Sequence, residues 1–139
     1  MLRLITSVVL GSILGMISMI ILHYLSAFAY PLPEGVSMSD AEKFAEYLES
    51  APNGSFILAM ISHLLGAFFA SIFTIKLLRS KEWKKNNFNL IYPIIIGIIF
   101  TISGYMNLQE IPHPNWFFYE LFLYIPSSLL GYQLIAKKN

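Results

Sequence analysis

The sequence contains no cysteine, and only 12% of its 139 residues are charged. The first absence excludes disulfides, zinc–thiolate sites and iron–sulfur clusters, and it leaves the redox compartment open. The second carries more weight. A soluble domain has about 25% charged residues with which to cover a water-facing surface. Here 56% of the residues are hydrophobic, 15% are aromatic and the mean hydropathy is +0.63, a composition that implies a membrane protein. Catalytic signatures are missing too. The chain has no G-x-S-x-G elbow, no ordered Ser, His, Asp set, and neither an H-x-x-x-H nor an H-E-x-x-H pair. The reading therefore disfavours an enzyme and expects no cofactor and no metal. No nucleic-acid motif is present, so no nucleic-acid partner is expected.

What is present is apolar sequence in four runs, at about 4–27, 55–78, 90–108 and 116–136. Each is close to the roughly 20 residues a helix needs to cross about 30 Å of hydrocarbon. Open strands would leave backbone groups unpaired in lipid, so helices are the expected form. The predicted fold class is all-α: a four-helix transmembrane bundle forming a single membrane domain over 1–139. The motif Ala27-Phe28-Ala29 has the small-x-small form of a signal-peptidase site. The apolar run before it exceeds the roughly 7–15 residues of a signal h-region, and its basic flank is only Arg3 and the amine, so an uncleaved span is expected.

Charge distribution orients the spans. Lys76 at the end of the second run and Arg79, Lys81, Lys84 and Lys85 after it form one cluster, and Arg3, Lys137 and Lys138 lie at the two ends. Lys43 alone lies on the other side, among Glu34, Asp40, Glu42, Glu46, Glu49 and Glu110. The positive-inside rule then predicts N-in/C-in topology with both termini cytoplasmic. The basic segment RSKEWKKNNFN, with Trp83 interleaved, reads as an anionic-lipid contact beside the lipid bilayer.

The longer outer loop carries a helix of its own, at about 40–50. Ser39-Asp40-Ala41-Glu42 has the capping-box pattern. Ala41, Phe44, Ala45 and Leu48 follow at helical spacing, with Pro52-Asn53-Gly54 closing the segment. A short amphipathic helix on the extracytoplasmic face is expected, as a lid over the bundle or as a partner-binding face. Tyr30-Pro31-Leu32-Pro33 and Pro112-His113-Pro114 place a P-x-P element outside each hairpin. The two hairpins run the same way, unlike the inverted repeats of transporters.

Small residues mark the faces on which membrane helices meet. Ser7, Gly11 and Gly15 do so in the first run, and Ser62, Gly66, Ala70 and Thr74 in the second, beside Ala59, Ala67 and Ser71. Ser127 and Gly131 do so in the last. Counting about 100° per residue aligns His63 with Ala67, Ala70 and Thr74, and Glu120 with Tyr124, Ser127 and Gly131. His23 falls about a quarter turn from Gly15 on the same count. With Asn107 near the outer end of the third run, His23, His63, Glu120, Asn107 and Tyr124 form a candidate polar cavity in the outer third of the bundle. Bland alternatives, hydrogen bonding between helices and to interfacial water, stay open.

The stretch NLQEIPHPNWFFYE reads as an outer interface turn made by Pro112, His113, Pro114 and Trp116. In it the prolines break the helix, Asn115 is the expected N-cap, His113 is expected to be exposed, and 116–119 form an aromatic band at the water boundary. Four motifs carry a resemblance: Y-P-L-P-E-G at Tyr30–Gly35, Gly66-Ala67, I-P-H-P-N-W-F at Ile111–Phe117, and the proline–small–glycine ending from Pro126 to Gly131. In these the chain resembles a family of small bacterial four-helix integral membrane proteins of uncharacterised function. The resemblance implies residence in the bacterial cytoplasmic (inner) membrane. The function expected is a non-enzymatic membrane protein, an accessory subunit or a binding module using its extracytoplasmic face. The alternative is a small-solute or proton-coupled transporter. A membrane-protein partner and a homo-oligomer are both open.

Overall fold

The computed structural model describes residues 2–78 and 90–136. Every element in them is helical: α1 (Leu2–Ala29), α2 (Ala41–Ser50), α3 (Asn53–Leu78), α4 (Ile91–Glu110), a 3-10 turn (Asn115–Tyr119) and α5 (Glu120–Ala136). The basic segment 79–89 and Lys137–Lys138, on which the anionic-lipid reading and much of the orientation rest, lie outside the described residues.

Three helices, α1, α3 and α4, are long and apolar enough to cross a membrane. α1 has 28 residues, about 42 Å at about 1.5 Å per residue, so it exceeds the hydrocarbon layer. The last apolar run differs from expectation. It does not form one helix over 116–136 but divides into the 3-10 turn and α5, and α5 has only 17 residues. Pro114 precedes that turn with no side-chain cap, so Asn115 begins the turn and caps nothing. Pro112 and Pro114 stop the chain from running on as helix out of α4, and the Phe117 N–H donates to the Pro114 carbonyl at 2.9 Å, the i+3 bond of a 3-10 turn.

α3 is the central element, packed along α1 on one side and along α5 on the other, while α4 packs on α5. Small residues allow this. A Cβ on Gly15 would fall on Ala70 Cβ and the Gly66 carbonyl of α3, so the G-x-x-x-G of α1 is used within the chain. A Cβ on Gly131 would fall on the Phe68 carbonyl, which brings α5 equally close to α3. The core gathers around these contacts: Phe56, Ala67 and Ala70 of α3, Ile96, Phe100 and Leu108 of α4, and Leu121 and Tyr124 of α5. Outward faces are apolar as well, with Ile13, Ile17 and Ile20 on α1 and Ile94, Ile98 and Ile102 on α4 exposed. Surfaces of this kind suit lipid and not water.

The connection between α1 and α2 begins with a turn that explains Pro-Glu-Gly. Val36 N–H donates to the Pro33 carbonyl at 3.1 Å, and Gly35 sits at φ 80°, the left-handed position of a type II turn. α2 follows with its cap one residue later than expected. Asp40, not Ser39, is the N-cap, accepting from the Lys43 N–H at 3.2 Å, and the Ser39 hydroxyl bonds Ser37 instead. Nor does Asn53-Gly54 close the loop, because α3 already begins at Asn53 behind Pro52.

Candidate functional site

The centre of the site is an ion-pair-capable contact between two helices that are distant in sequence. Glu120 opens α5 directly after the 3-10 turn, where its side chain enters the protein and is 0% exposed. His63, nearly three turns into α3, is 9% exposed, and its Nδ1 lies 3.0 Å from Glu120 Oε2. One turn further along α5, the Tyr124 hydroxyl donates to Glu120 Oε1 at 3.2 Å. Both carboxyl oxygens are therefore engaged, as a buried carboxyl group requires. Gly104 of α4 makes room for Tyr124, since a Cβ there would lie 2.8 Å from the Tyr124 ring.

His23 joins this group from α1. Its ring centroid is 4.9 Å from that of His63, tilted by 60°. Of the five residues expected to share a polar cavity, the structure brings His23, His63, Glu120 and Tyr124 into one cluster, but Glu120 and Tyr124 are buried behind His63 and do not line the cavity. Asn107 is only partly as expected. It lines the same cavity as His23 and His63, but it is exposed at the rim, because α4 continues three residues past it to Glu110.

That cavity has a volume of about 340 Å³, at the low end of the roughly 300–1,000 Å³ typical of small-molecule clefts. Its floor holds His23 and His63. Its cover is α2, which turns Phe44, Tyr47 and Leu48 toward it, and Phe56 and Phe117 form a wall with their rings edge to face at 5.5 Å. The cover is therefore more aromatic than the expected stripe, with Tyr47 half-buried where Ala41 is exposed.

The interface turn also departs from expectation. His113 is half-buried, not exposed: it lines the cavity and its Nδ1 donates to the Ile111 carbonyl at 2.7 Å. The band at 116–119 is split. Phe117 points into the core at 4% exposed, Trp116 packs against it at 5.8 Å, and only Phe118 and Tyr119 face outward. Four consecutive helical residues point to all sides of the turn, so one of them, Phe117, necessarily meets the core.

Hydroxyls at the helix contacts complete the polar inventory. Ser127 donates to the Leu64 carbonyl of α3 at 2.6 Å, and the neighbouring Ser128 donates to the Pro93 carbonyl of α4. Helical counting found Ser127 alone. Ser128 was missed because α5 lies between α3 and α4 and has two inward faces. Thr101 of α4 reaches the Leu121 carbonyl at 3.2 Å. Among the described residues no group of three or more His, Cys, Asp or Glu is arranged to hold a metal ion. The facing atoms of His63 and Glu120 are engaged with each other.

Compared with known proteins, the chain matches no family model, no curated protein and no solved structure.

Proposed function

We propose that the chain is a non-enzymatic membrane-embedded binding module whose outer cavity takes a small amphipathic ligand. The observation that carries this reading is the cavity itself: about 340 Å³, mostly apolar, covered on one side by an amphipathic helix and floored by a hydrogen-bonded histidine. Few, convergent polar groups in an apolar chamber are the usual composition of a small-molecule site. The reading includes four spans in a bacterial inner membrane, with both termini cytoplasmic. The fourth span is supported by length, since the 3-10 turn and α5 laid end to end reach about 36 Å at about 2.0 and 1.5 Å per residue. The test is native mass spectrometry of the purified protein with a bound amphiphile. One molecule should be retained per chain, and Ala59→Phe, which fills the chamber from its α3 wall, should abolish retention. Equal retention by both proteins rules the cavity out.

A proton-coupled transporter is the second reading, favoured by the buried His63–Glu120 pair. On the inner side of that pair, the hydroxyls of Ser12, Ser71 and Thr74 are buried without a hydrogen-bond partner among the described residues. Proton flux in proteoliposomes that disappears in Glu120→Gln supports transport. Flux indistinguishable from empty vesicles supports the binding module.

A further inference from the structure

The cavity's floor selects the chemistry of its occupant, given that the cavity is a ligand site as proposed above. A net charge on a buried pair within a membrane protein is strongly disfavoured. Because the Tyr124 hydroxyl donates to Oε1, any acid proton sits on Oε2, and His63 and Glu120 can be net neutral in two ways. An imidazolium can face a carboxylate, with hydrogens on both ring nitrogens. Alternatively, the carboxylic acid can donate to Nδ1, which places the single ring hydrogen on Nε2. Tyr124 donates to Oε1 in either case. Both arrangements leave an N–H at Nε2, and only the net-negative pair would turn that atom into an acceptor. Nδ1 is engaged by Glu120, and Nε2 has no hydrogen-bond partner among the described residues, while the His63 side chain lines the cavity. The chamber therefore presents a hydrogen-bond donor, held in place from behind by a buried carboxyl group.

Around that donor the walls are aromatic: Phe44 and Tyr47 from α2, Phe56 from α3 and Phe117 from the 3-10 turn. Flat rings pack against such walls by offset or edge-to-face contact. The volume accommodates a substituted ring and not a pair of acyl chains. The chamber is also bounded by α1 and by the outer end of α4, two helices that barely touch. A tail can leave between them into the bilayer. We propose that the cavity binds a quinone-class molecule, a flat ring with a carbonyl that accepts from His63 Nε2 and an alkyl tail directed to lipid.

The test is a calorimetric titration of the full-length protein in detergent with three ligands of matched tail. Decyl-benzoquinone has the ring and the acceptor, decylbenzene has the ring alone, and 2-dodecanone has the acceptor alone. The quinone should bind about tenfold more tightly than decylbenzene, the worth of one hydrogen bond in an apolar site, and more tightly than the ketone. His63→Phe, which keeps a ring and removes the donor, should bring quinone and decylbenzene to equal affinity. The ligand series on the unaltered protein stands even if that variant does not fold. Equal binding of quinone and decylbenzene, both lost in Ala59→Phe, overturns the ligand class and leaves the cavity as a site. Ketone binding as tight as quinone overturns the ring. Failure of all three to bind overturns the cavity reading together with the inference.

Discussion

Glu120 is the residue on which the candidate site depends, because it is fully enclosed and both its oxygens are engaged. Removing one partner of a buried pair leaves the other uncompensated, at a cost of about 3–5 kcal/mol. Glu120→Ala is expected to fall in that range in equilibrium unfolding in detergent. Glu120→Gln keeps the shape and an acceptor for Tyr124, so its loss should be clearly smaller. Tyr124→Phe removes one hydrogen bond, an expected loss of about 0.5–1.5 kcal/mol. A Glu120→Ala protein as stable as the unaltered chain would show that the pair contributes nothing. The inward direction of His63, Glu120 and Tyr124 was legible in the sequence, since helical periodicity needs only the spacing to small neighbours such as Ala67 and Gly131. Their mutual distance was not. It depends on where α5 starts, and the prolines and the 3-10 turn before it decide that start. His113 was misjudged for the same reason. A P-H-P turn signals a break in the helix, but not that the ring folds back over Phe117 at 6.2 Å.

Among the helices, α1, α3 and α4 were legible as long apolar runs, while α2 was legible by its periodicity and imprecise in its cap. Ser39 and Asp40 are both good capping residues, and pattern alone does not choose between them. The choice matters for the site because α2 is the cover. Asp40→Ala is expected to destabilise that helix by about 0.5–2 kcal/mol. Hydrogen exchange should then quicken across 41–50 with the amides of central α3 unchanged. Uniform quickening in both would mean that α2 is not an independent cover. Packing between helices follows a different logic. At Gly131 a methyl group would meet a backbone carbonyl, which cannot rotate away as a side chain can. Gly131→Ala should therefore cost about 1–3 kcal/mol and lower the melting temperature, whereas Ala substitution at exposed Leu130, one residue earlier, should change it little.

The arrangement of the helices together makes the topology testable. α3 is flanked by α1 and α5, and the end of α1, the start of α3, the end of α4 and the 3-10 turn all line the cavity under α2. This places the acidic connection at 30–53 on the side of the cavity and, if α3 spans the membrane, the basic segment that follows it on the opposite side. The absence of cysteine allows this to be read directly, since any thiol introduced is the only one in the chain. Ser39→Cys, exposed ahead of α2, should react with a membrane-impermeant maleimide added to intact cells. Lys84→Cys should react only after the membrane is opened. The discriminating position is at the end of the chain. With α5 as a fourth span, Lys138→Cys should behave like Lys84→Cys. With three spans and α5 remaining on the outer side, it should behave like Ser39→Cys. The second outcome would place Glu120 outside the hydrocarbon layer. The requirement for a net-neutral pair with His63 would then weaken, and with it the argument for a hydrogen-bond donor on the cavity floor.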